Sequence, residues 1–236
     1  MLQLLLLCFV FGFSGASTPD FIDPCSLEDS SCLSASATKT LHNLLNGKKE
    51  YNVPKLNPVN LPLVELQGPG LSLSLKNIDV YGLPDAKITS VKFNTKEKTG
   101  EVVLHVPNAQ IIGEYHLKGK ISVLTLDGQG KGNITALGGD YTWIISYDYE
   151  TKNGKEYLKV TKDDTKYDLK KVLFKFDDLF KGDKALSDST NDVLNQEWRA
   201  VIDELGVGIA KTLGSVYKLV ATGLFSKIPL NEITKS

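Results

Sequence analysis

Apolar residues recur in steps of three and four near the carboxy terminus: Leu194, Trp198, Val201, Ile202, Leu205, Ile209, Leu213, Val216, Val220 and Leu224. That spacing keeps side chains on one face of an α-helix. At 1.5 Å per residue the helix is roughly 45 Å long. Ala200, Tyr217, Leu219 and Ala221 widen the apolar sector, which predicts a rod largely enclosed by other structure. Gly206 and Gly208 each cost about 1 kcal/mol against Ala, so a break or kink is expected near Leu205–Ile209. Early in the chain, Leu33, Ala37, Leu41, Leu44 and Leu45 share a face. They predict a short helix, capped by Ser31 or Ser34 and ended by Gly47.

Between the two helices the period falls to two. Prolines 54, 58, 62 and 69 first predict an extended, irregular connection that runs over the surface or along a sheet edge. Leu71, Leu73 and Leu75 then alternate with polar residues, and Ile78 and Val80 follow after a slip that predicts a bulge near Lys76–Asn77. Ile88–Phe93 and Val102–Val106 form a hairpin about the turn at residues 96–100. Ile111–Leu126 reads as a long strand or bent pair. Tyr141, Trp143, Ile145, Tyr147 and Tyr149 give one strand an almost wholly aromatic face. A turn at 152–155 leads to 156–161, and Tyr167–Phe176 is the last strand. Helices at the ends of a six- to eight-strand meander predict an α+β fold, in which a strongly curved antiparallel sheet wraps the long carboxy-terminal helix.

Residues 1–16 stand apart. Leu2–Phe13 is almost wholly apolar, and Ser14 and Ala16 suit a signal-peptidase site. The expected organisation is a signal peptide over 1–16 and one domain over 17–236, secreted and without stable membrane insertion. Cys25 and Cys32 are then the remaining cysteines, and a pair in an exported chain predicts a disulfide. Formal net charge is -1, which gives no bias toward nucleic acid or anionic membrane.

Catalytic patterns are missing. There is no G-x-S-x-G, H-E-x-x-H or Walker loop. Gly128, Gly130 and Gly132 precede more strand, so they read as glycines of a curved strand or bulge, not as a phosphate loop. His105 and His116 are expected on neighbouring strands, as packed or surface residues. Asp163–Asp164 and Asp177–Asp178 read as turn and cap carboxylates. Neither catalysis, a metal nor a cofactor is expected. Asn133-Ile-Thr is the chain's one N-x-S/T sequon, which makes Asn133 a candidate glycosylation site.

Several ordered segments resemble the takeout/juvenile hormone-binding protein family of secreted insect proteins. They are the Cys25/Cys32 pair, Asn77-Ile-Asp-Val-Tyr-Gly82-Leu83, Gly113-Glu-Tyr-His-Leu-Lys-Gly119 and Gly128-Gln-Gly130. Phe180-Lys-Gly-Asp-Lys-Ala-Leu186, Asn191 and Leu194-Asn-Gln-Glu-Trp198 complete the set. The resemblance implies a super-roll of the tubular lipid-binding type, with a tunnel between helix and sheet for one elongated apolar ligand. The hormone-carrier branch has a second disulfide between a late strand and the long helix. This chain has no cysteine after Cys32, which favours the takeout-like branch. The resemblance also implies that a strand tyrosine, here Tyr147, hydrogen-bonds the ligand's polar end.

The expected function is carriage of a hydrophobic small molecule: a terpenoid, a fatty-acid-like or a quinone-like lipid, with juvenile hormone among the candidates. The expected lining is Leu75, Phe93, Leu104, Trp143, Ile145, Tyr147, Phe176, Trp198, Val201 and Leu205. The alternatives are an extracellular signalling or protein-interaction module with a solid core and, behind it, a secreted hydrolase.

Overall fold

The computed structural model describes residues 19–121 and 124–235. The predicted signal peptide, 1–16, lies outside the described residues. Six strands form one antiparallel sheet: β1 Val59–Gln67, β2 Leu71–Tyr81, β3 Lys87–Asn94, β4 Thr99–Ile121, β5 Leu124–Lys152 and β6 Lys155–Phe176. Its order is β1-β2-β4-β5-β6, with β3 on β4. Strand β4 pairs with β3 along its first part and with β2 along its second, while β5 runs the length of its other side.

Strand length dictates the curl. A straight strand with the 29 residues of β5 would extend about 95 Å at 3.3 Å per residue. The longest helix, α3 (Trp198–Phe225), has 28 residues, about 42 Å at 1.5 Å each. The sheet fits its helix by rolling across it. Helix α3 packs on β1 and β6, the two rims of the sheet, and so closes the half-barrel.

The helix glycines belong to that closure. Of the break or kink expected at Leu205–Ile209, the break does not occur: α3 runs through these residues as one helix. A Cβ on Gly208 would stand 3.2 Å from Leu66 Cα, and one on Gly214 would stand 3.0 Å from Thr165 Oγ1. These residues let both rims press against the rod. The break falls instead at Glu197, which separates α3 from α2 (Lys184–Gln196). The rod is also less enclosed than predicted, since Val207 and Leu219 are exposed on its outer side.

Helix α1 (Ser30–Leu44) is capped by Asp29, whose carboxylate accepts the Cys32 N–H at 3.0 Å. Neither predicted serine caps it; the Ser34 hydroxyl donates back to the Ser30 carbonyl. Gly47 follows the helix with φ 75° and donates to the Leu44 carbonyl. The proline-bearing connection contains β1, an edge strand. Pro62 has no N–H to offer, and the register passes from Leu61↔Ile78 to Leu63↔Lys76 around it. The expected bulge appears between Lys76 and Asp79, with Asn77 at φ 51°. Val102–Val106 and the first part of Ile111–Leu126 are one continuous β4, and the rest of Ile111–Leu126 belongs to the antiparallel β5, as a bent pair would. Asp163 and Asp164 lie within β6, not in a turn, and Asp163 pairs with Lys218 at 2.9 Å.

Strand β6 leaves backbone groups along its outer rim, and α2 meets them with asparagines. Asn195 accepts the Phe174 N–H at 2.6 Å and donates to its carbonyl at 3.0 Å. Asn191 does the same for Phe176, both at 2.9 Å.

Cys25 and Cys32 are disulfide-bonded at the entrance to α1. The chain end binds the same place: Lys235 N–H donates to the Cys25 carbonyl at 2.9 Å. Replacing both cysteines with serine is expected to lower the unfolding free energy by about 2–3 kcal/mol, on loop-entropy grounds. A lower urea midpoint with unchanged slope is the expected reading.

Candidate functional site

Two cavities lie inside the roll. The first, about 290 Å³, sits among α1, the aromatic part of β5, the end of α3 and the short terminal helix α4 (Leu230–Ile233). The second, about 230 Å³, sits between the middle of α3 and strands β1, β2, β4, β5 and β6. Leu83, Leu104, Tyr141, Val216 and Tyr217 line both, so the cavities lie end to end with these residues at the junction.

Of the predicted lining, Phe93, Trp143 and Ile145 border the first cavity, Leu75 and Leu205 the second, and Leu104 both. The other four lie elsewhere. Tyr147 is buried beyond the first cavity, where its ring meets Phe93 and Tyr149, each at 5.7 Å between centroids. Phe176 sits at the end of β6 against Tyr115 and Phe174. The Trp198 ring lies beneath Lys171 and Arg199, and Val201 packs in the solid core with Leu194. A regular apolar period places all four inward. It does not distinguish a wall facing empty space from one facing another side chain.

Residues absent from the expected lining make up much of the first cavity. Ala37, Leu41 and Leu44 of α1 border it, as do Leu230 and Ile233 of α4. The α1 face was visible in its spacing. Nothing in the terminal segment indicated that it folds back to Cys25.

The linings are almost uncharged. They contain no Lys, Arg or His, and Asp23 supplies their one carboxylate, held by Lys39 at 2.7 Å. The histidines lie elsewhere. His105 and His116 are both on β4, not on neighbouring strands; His105 pairs with Asp140 at 2.7 Å and His116 with Asp127 at 3.3 Å. No cluster of three potential metal ligands occurs among the described residues. The glycine run at 128–132 lies within β5, where the backbone after β6 crosses it. A Cβ on Gly130 would stand 2.5 Å from the Asp177 carbonyl oxygen, so the glycines serve close backbone approach.

Burial raises the tyrosine hydroxyls. Tyr141 is pushed up to about 12, mainly by burial and then by Tyr167. Tyr217 rises through burial and then Tyr141, and Tyr115 rises through burial and then Asp178 and Asp177. A tyrosine in the unfolded chain ionises near 10. Above that pH the unfolded chain releases protons that the folded chain keeps. Stability is therefore expected to be full below about pH 10 and to fall from there toward pH 12. In an absorbance titration, tyrosinate from these residues should appear only with unfolding. A single smooth titration of all nine tyrosines near 10 in the folded state would contradict this.

A rolled sheet closed by one helix over apolar internal space defines a protein of the hydrophobic-ligand-carrier class. Residues 4–235 match the family model described as haemolymph juvenile hormone binding protein, and the chain belongs to that family. It is 28% identical to the circadian clock-controlled protein daywake of Drosophila melanogaster, over 95% of this chain and 90% of that one. A shorter similarity, 29% over 80 residues, covers 33% of this chain and 35% of the juvenile hormone-binding protein of Manduca sexta. The fold matches the crystal structure of Takeout 1 from Epiphyas postvittana with a TM-score of 0.86 at 27% identity, over 91% of this chain and 100% of that one.

Proposed function

We propose that this protein is a secreted carrier of one elongated, neutral lipid lying through both cavities. The observation that carries the reading is the pair of apolar cavities meeting at shared residues without a cation in either lining. An apolar chain gains about 0.8 kcal/mol per buried methylene. An ionised carboxylate or phosphate taken to the same depth loses its hydration and finds no opposite charge. The reading therefore favours terpenoids, quinones, esters and alcohols over free fatty acids. Contact with Phe93, Leu104, Trp143, Ile145, Leu75 and Leu205 is part of the proposal. Export through an oxidising compartment accords with the Cys25–Cys32 disulfide, and Asn133 on β5 is the proposed glycan acceptor.

Native mass spectrometry of protein purified without detergent tests this. The expected result is a population carrying one neutral lipid per chain. A chain that emerges empty, and that takes up neither a long-chain alcohol nor a quinone probe, would overturn the reading.

A further inference from the structure

The polar groups of the two linings are unevenly committed. In the first cavity Thr40 donates to the Phe21 carbonyl, Ser36 to the Asp23 carbonyl and Thr234 to the Leu230 carbonyl. In the second, Thr212 donates to the Gly208 carbonyl. These hydroxyls spend their hydrogen bonds on backbone. The remaining polar groups are the hydroxyls of Tyr141, Tyr167 and Tyr217 and the indole N–H of Trp143. Among the described residues none of the three hydroxyls makes a hydrogen bond, and Trp143 Nε1 is buried without a partner.

These uncommitted groups gather in one place. Tyr141 and Tyr167 are direct cross-strand partners on β5 and β6. Tyr217 faces them from α3, its ring 6.1 Å from that of Trp143, which is two residues beyond Tyr141 on the same strand face. Tyr141 and Tyr217 line both cavities. Gly139 makes room for this arrangement: a Cβ there would fall 2.7 Å from the Tyr141 hydroxyl. A hydroxyl facing apolar space without a partner is costly once a ligand displaces water from it, and here three such hydroxyls lie beside one another on β5, β6 and α3.

We propose that the junction is a polar collar that seats an uncharged oxygen acceptor, such as a ketone, ester or ether oxygen, partway along the ligand's apolar chain. Tyr141 and Tyr217 donate to it, and apolar arms extend from it into both cavities. The collar rests on the carrier reading and narrows it to chains oxygenated away from their ends. It also gives selectivity that methylene burial alone lacks, because a ligand without the acceptor leaves the hydroxyls unpaired.

Heptadecane and heptadecan-9-one, which differ at the central carbon, test the collar by competition against a fluorescent lipid probe. The measured quantity is the ketone-to-alkane affinity ratio, which cancels the general effect of a variant on chain binding. Tyr141→Phe and Tyr217→Phe are each expected to lower that ratio about tenfold, the scale of one buried hydrogen bond. Melting temperature should change little, because each ring is retained. The carbonyl stretch of bound ketone should lie at lower frequency in the wild type than in the double variant. A ratio unchanged in both single variants and in the double variant overturns the collar and leaves the carrier reading standing. Failure of the wild type to bind the fluorescent probe or either competitor overturns both.

Discussion

Replacing Val216 with Trp is expected to reduce affinity for a long-chain lipid about a hundredfold while leaving the fold intact. Val216 lines both cavities from the inner side of α3, so an indole there enters the space that the proposed ligand would cross. Excluding three or four methylenes forfeits roughly 2.5–3 kcal/mol, equivalent to about two decades of affinity. The larger side chain fills space already inside the protein, so the melting temperature should fall by a few degrees at most. Competition assays with a series of alcohols of increasing length separate the outcomes. Short alcohols should retain affinity and long ones lose it. Equal affinity of all lengths for the variant and the wild type would mean that the ligand does not cross the junction.

The second large effect concerns stability. Asn195→Leu should cost about 2–3 kcal/mol, because the side-chain amide satisfies both backbone groups of Phe174 at the rim of β6. Leucine has similar bulk and fills neither role, and a part-buried donor and acceptor left unpaired cost about 1–3 kcal/mol each. Asn191→Leu should act likewise at Phe176. Urea denaturation gives the magnitude, and hydrogen exchange gives the place: the Phe174 amide should lose protection before amides in β4. Uniform loss of protection across the sheet would argue against a local edge role.

The sequence revealed those features that repeat. The inner face of α3, the alternating aromatic residues of β5 and the hairpin turn before β4 follow from periods that survive into the structure. The helix break did not, because Glu197 is neither glycine nor proline; the glycines that invited a break serve instead as contact points for the sheet rims. The prolines left open a surface connection or a sheet edge, and tertiary context decides for the edge strand β1, on which Pro62 lies. The site was legible to the same extent. Leu104 and Trp143 face cavities because they face inward, but Phe176 and Val201 face inward onto other side chains. The junction tyrosines were hidden for a different reason. Tyr141, Tyr167 and Tyr217 come from three elements, and their convergence depends on strand register and helix placement, which no local pattern encodes.

The contact of α3 with both rims of the sheet makes it a keystone. Lifting the helix from β1 alone would uncover the interior to water along its length, and lifting it from β6 would do the same from the other side. Neither half-open form retains a closed chamber, so helix and sheet should melt as one cooperative unit. A bound lipid would then raise the free energy of the whole transition rather than of one segment.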